Sequence, residues 1–204
     1  MSGVSALTGG SRAELPPPCV SCVFWQHDRV VTDERRKEAW SEIFERRHGA
    51  FGRVLHHGGR FQGMIQYGPA TAFPRALRMP AGPPGRDVAL VTCTFLEADD
   101  PAGACERLML EALADLKARR FPAVDAFSLR YPEEVEPHDR FAGHHTLFDR
   151  DFLEGLGFSH VRGAGQVALL RIALGGLVRG PGLVERARRT LARGAEPTGD
   201  PAPA

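Results

Sequence analysis

The sequence predicts an α/β domain, helices layered against a mixed sheet, on three observations. The run from Asp87 to Leu96 is apolar on both alternating faces, as a central strand covered above and below must be. In the stretch from Ala104 to Arg120 that follows, Cys105, Leu108, Met109, Ala112, Leu113 and Leu116 recur at helical spacing. The inferred order of elements is strand, helix, hairpin, long loop, central strand, helix, strand, helix, strand, which suits an α/β layer and not a sandwich or a bundle.

Taken in order, residues 1–18 are small, polar or proline and read as a disordered tail. Residues 22–25, CVFW, read as a short buried strand. Thr32 offers an N-cap, and Asp33 and Glu34 favour the positive end of a helix. Along that helix Ala39, Trp40, Ile43 and Phe44 share one face, Glu42 and Arg46 pair on the other, and Gly49 supplies a stop. Gly58 and Gly59 tolerate the positive φ of a tight turn, so residues 53–67 form an antiparallel hairpin. Residues 68–86 hold Pro69, Pro74, Pro80, Pro83 and Pro84, which remove ladder donors, and read as a loop long enough to serve a function.

Beyond the central strand and its helix, residues 123–129 form a strand. A His-rich loop leads to a short helix over residues 149–156 that Gly157 ends, and residues 167–174 supply the last strand. The domain therefore covers residues 19–178. Residues 179–204 read as a basic helix, with Leu183, Val184, Ala187 and Leu191 on one side, and a disordered tail.

With 204 residues, 43% of them hydrophobic, the chain can bury one substantial core. Its 26 basic and 25 acidic residues leave +1, without the excess that nucleic-acid or anionic-membrane binding requires. No signal-peptide pattern occurs, nor a run of about 18 apolar residues, so a cytoplasmic protein is expected. Four cysteines are too few for a disulfide scaffold. Cys19 and Cys22 have the spacing that lets two thiolates grip zinc, with His56 and His57 to complete the set. Ordinary packing of the buried thiols is the alternative, and zinc is not expected.

The order of elements, Gly103 at the start of the helix after the central strand, and the tripeptide Leu156-Gly157-Phe158 resemble the GNAT superfamily of N-acetyltransferases. CVSCVFW, QYGPATAFPRA, VDAFSLR and FLEGLGF look similar to an actinobacterial branch of that superfamily, and the resemblance spans residues 19–174. It implies a mostly antiparallel mixed sheet with helices on both faces. It implies acetyl-CoA or another acyl-CoA as co-substrate, its pantetheine arm along the backbone of residues 92–96, Thr94, Phe95 and Leu96 among them. The pyrophosphate would meet the turn at residues 100–107, where Gly103, Ala104, Cys105, Glu106 and Arg107 begin the helix. Such an end exposes unpaired N–H groups and partial positive charge, which independently suits phosphate. A homodimer is a family-level expectation.

Three residues depart from the family's pattern. Asp100 stands where an Arg or Gln is usual, Cys105 where a Gly or Ala is, and Leu153 where a tyrosine protonates the leaving thiolate. A carboxylate near a pyrophosphate is unfavourable, by about 1 kcal/mol per charge pair at 4 Å in water and about 4 kcal/mol at an intermediate dielectric. Leucine transfers no proton, so the base and acid must be other groups. Glu97 and Asp99, just beyond the central strand, and His144 or His145 in the His-rich loop are the candidate bases, Glu97 favoured for its place at the strand end. Two readings follow: an acyltransferase acting on a small-molecule or peptide primary amine, or a GNAT-fold binding or regulatory protein without transfer chemistry.

Overall fold

A computed structural model describes residues 2–175. Nine strands form one sheet. β1 (Ser2–Leu7), β2 (Gly52–His57), β3 (Arg60–Pro69) and β4 (Ala89–Leu96) follow one another antiparallel. β5 (Ala123–Leu129) lies parallel to β4. The three-residue β6 (Gly143–His145) and the two-residue β7 (Phe148–Asp149) lie off the main path. β8 (Ser159–Ala164) and β9 (Val167–Ala173) form the far edge, with β9 next to β5. The sheet is mixed and mostly antiparallel, as expected.

Helices cover both faces. α1 (Pro17–Ser21) and α2 (Glu34–His48) close one core, which holds Trp25, Phe44, Phe51, Phe73 and Phe127. The other core lies under α3 (Pro101–Ala118) and α4 (Arg150–Gly155). All six residues of the expected α3 stripe are buried there. β5 faces both cores, which is why Asp125 is fully buried. Its carboxylate takes two hydrogen bonds from Arg171 on β9, at 2.6 and 2.9 Å, and one from the Gly85 N–H at 2.9 Å. Gly58 and Gly59, with φ of 57° and 80°, make the β2–β3 turn that the Gly-Gly pair announces.

Several expectations are corrected. Residues 1–18 are not a tail over the described part: β1 pairs along the whole of β2, and Leu7 and Leu15 are buried. The unpaired edge of β2 supplies backbone partners that composition cannot reveal. Residues 22–25 are not a strand; they leave α1 in a turn, tied by the Val23 N–H to the Val31 carbonyl and by a bridge between Cys22 and Thr32. The N-cap of α2 is Asp33, whose carboxylate accepts the Arg36 N–H at 3.0 Å, and not Thr32. The buried face of α2 runs through Lys37, Ser41 and Phe44, leaving Ala39 and Ile43 outside.

The Pro-rich segment after β3 forms two 3₁₀ turns, Ala70–Ala72 and Pro74–Arg78. Arg75 ties it to the turn after α1, donating to the carbonyls of Phe24, His27 and Val30. β8 was not anticipated: its side chains are mostly exposed, so no apolar alternation marks it. The basic helix and tail at 179–204 lie outside the described residues. Among the described residues no helix is long and apolar enough to cross a membrane.

Candidate functional site

β4 and β5 pair only at Ala89–Val124, Leu90–Asp125 and Val91–Ala126. Beyond that point they separate. β3 takes the other edge of β4, and β9 the other edge of β5. Whatever pairs next must therefore lie in the split between them. β6 does so antiparallel to β4, placing His145, His144 and Gly143 opposite Thr94, Phe95 and Leu96. β7 does so parallel to β5, at Ser128 and Leu129. The chain between β5 and α4 thus fills the cleft with its own backbone.

This strap is anchored by its side chains. His145 Nε2 donates to the Ala142 carbonyl at 2.8 Å, so Nδ1 accepts from the Tyr131 hydroxyl at 3.1 Å. Both ring nitrogens are thereby engaged, which removes His145 as a free base. Arg140 holds the loop through the carbonyls of Val135, at 3.0 Å, and Pro132, at 3.4 Å. The His144 ring, solvent-exposed on its outer side, packs near Phe95 with centroids 6.5 Å apart, and partial desolvation on that inner side lowers its pKa. Glu97 sits exposed after β4, its N–H donating to the Gln62 carbonyl.

The helix end is closed as well. Asp100 is the N-cap of α3, accepting the Gly103 N–H on Oδ1 at 3.0 Å, while its own carbonyl takes the Ala104 N–H at 3.1 Å. Pro101 at the first helical position has no N–H to offer. A Cβ at Gly103 would press on the Asp100 carboxylate as it now lies, so the glycine suits this close cap. Ala104 and Cys105 turn into the core under α3; burial pushes the Cys105 thiol well above the usual range. Glu106 is half-buried and Arg107 exposed. Leu153, the family's proton-donor position, is fully buried core.

The residues expected to hold an acyl-CoA therefore do not fit it in this conformation. Thr94, Phe95 and Leu96 spend their free edge on β6, and the Gly103 N–H faces a carboxylate that would repel a pyrophosphate. The alternative zinc set of Cys19, Cys22, His56 and His57 is not gathered into one group. His56 lies on β2 beside Glu14, at 3.7 Å, and against Phe61, away from Cys19 and Cys22. Among the described residues no three His, Cys, Asp or Glu side chains are placed to hold a metal.

Sequence reasoning missed a polar cluster on the other side of the split. An extra residue in β4, Thr92, bulges between the pairs Gln66–Cys93 and Tyr67–Val91. Gln66 Nε2 donates to Thr92 Oγ1 at 2.9 Å, and Gln66 Oε1 accepts from both Lys37 Nζ and Gln26 Nε2 at 2.8 Å. Lys37 is 3% exposed, and burial lowers its pKa. Its spacing with Ser41 and Phe44, four and seven residues on, was the available signal.

No protein-family model matches the sequence, and no curated protein sequence is similar to it. Solved structures are. One is yncA of Salmonella typhimurium, a candidate acetyltransferase solved with its cofactor acetyl-CoA: 12% identity over 87% of this chain and 96% of that one, with a TM-score of 0.53. A candidate GNAT-family acetyltransferase of Desulfovibrio desulfuricans matches at 14% identity over 85% and 99% of the two chains, with a TM-score of 0.50. At such identities the likeness speaks for architecture alone, and this chain has the fold of the GNAT acetyltransferases.

Proposed function

We propose that this chain is a binding or regulatory protein built on the GNAT fold, its cofactor cleft filled by its own residues 143–149. The observation that carries this reading is β6 on the free edge of Thr94, Phe95 and Leu96. An extended ligand pairs with a strand through the same N–H and C=O groups, so strap and pantetheine are mutually exclusive there. The capped helix end and Leu153 agree with it, because one withholds the anion site and the other provides no acid. Calorimetry with acetyl-CoA tests it, together with a primary-amine panel read by thiol release. The expected result is neither heat at millimolar acetyl-CoA nor thiol release. Micromolar binding would overturn the filled cleft.

A second reading, acyl transfer from acyl-CoA to a primary amine, is favoured by the divergence of β4 and β5, which only short strands bridge. In that reading Glu97 and His144, near the end of β4, are the candidate bases. Amine-dependent thiol release would establish it.

A further inference from the structure

The polar cluster under the β4 bulge borders a partly open cavity of about 10 Å³. That is room for one water-sized occupant. Lys37 lies in its wall, and of the three donors on an ammonium one goes to Gln66. The charge also rests over the Trp40 ring, 5.2 Å from its centroid. Among the described residues no carboxylate pairs with Lys37, and none lines the cavity. Trp25 forms another part of the wall; it is 1% exposed, and its indole Nε1 is buried without a hydrogen-bond partner.

Three thiols, Cys19, Cys22 and Cys93, also line the cavity, and two of them supply no negative charge. Burial pushes Cys93 up to about 12 and Cys19 higher still, so both are S–H groups at neutral pH. The wall thus carries the Lys37 amine with spare hydrogen-bond capacity and an unused indole donor around a void of one heavy atom. Burial disfavours the ammonium form of Lys37, and an anion beside it offsets that penalty.

We infer that this cavity is a binding site for one halide-sized anion, held between the Lys37 ammonium and the Trp25 indole N–H. The site does not depend on whether the cleft binds acyl-CoA, so the two ideas fail separately. It places an ionic joint among α2, the bulge of β4 and the strap, since His144 of β6 completes the wall.

The sequence has two tryptophans, Trp25 and Trp40, and both adjoin Lys37. Full-length protein dialysed into gluconate is titrated with chloride, bromide or sulfate at constant ionic strength while tryptophan emission is followed. Chloride and bromide are expected to give a saturable change, and sulfate, too large for the void, none. Lys37→Met is expected to lose the saturable component with an unchanged far-UV spectrum. Trp25→Phe keeps Trp40 as reporter and is expected to weaken halide binding about tenfold or more through loss of one hydrogen bond to a charged ligand. Crystals grown in bromide should show an anomalous peak between Lys37 and Trp25. A response linear in halide and equal in Lys37→Met, or a water alone at that position in bromide crystals, overturns the proposal.

Discussion

Replacing His145 with alanine tests whether the strap is held as described. β6 contributes only three residue pairs to the sheet, so much of its hold comes from the two hydrogen bonds of the His145 ring. Each such bond is worth about 1 kcal/mol net, and the ring is half-buried, so the loss amounts to about 1–2 kcal/mol. That raises the open population of the strap by about 5- to 30-fold. Native-state hydrogen exchange reads it directly: those amides of residues 94–96 and 143–145 that bond across the β4–β6 pair should exchange faster by that factor. Those of residues 108–113, in the middle of α3, should keep their protection. The reasoning is refuted if the wild-type amides of 143–145 already exchange at open-loop rates. An equal acceleration in α3 would also refute it, because the substitution would then act on global stability and not on the strap.

Other outcomes follow from the same contacts. Asp100→Ala should lower stability by about 1 kcal/mol, seen as a fall of roughly 2–4 °C in Tm, whereas Asp100→Asn, which also caps, should stay near wild type by thermal denaturation. Asp125→Ala leaves the Arg171 guanidinium and the Gly85 N–H without their acceptor. It should cost about 2–3 kcal/mol in urea denaturation, and the double variant Asp125→Ala/Arg171→Ala should cost less than the sum of the single changes. Lys37 is held below its usual ammonium pKa by burial, so the unfolded chain binds more protons than the folded one between the folded pKa and about 10.4. The destabilisation is full below the folded pKa and is relieved as pH rises. Lys37→Met should therefore be more stable than wild type in sulfate buffer at pH 7, with a gap that narrows toward pH 10.

The cap at Asp100 was open to reading from the chain alone. Asp100, Pro101 and Gly103 are an N-cap, a first-turn proline and a small third residue, a start signal as direct as any in the sequence. Weighing Asp100 only as a charge against a phosphate concealed its local role. Lys37 is a milder case: it shares a helical face with Ser41 and Phe44, but a lysine on an amphipathic helix ordinarily marks the solvent side. His144 and His145 had no comparable local mark, because what they pair with lies some fifty residues earlier in β4.

By itself the sequence determined what local chemistry can encode. The stripe of α3 reflects a 3.6-residue period, the β2–β3 turn a pair of glycines with positive φ, and β4 a doubly buried apolar run. Only the tertiary structure decided how edges are used: that β1 covers β2, that β6 and β7 enter the split, and that Lys37 meets the β4 bulge. The physical reason is that a strand edge is a row of unpaired N–H and C=O groups with no side-chain signature. Which segment satisfies it depends on what the rest of the sheet has left open.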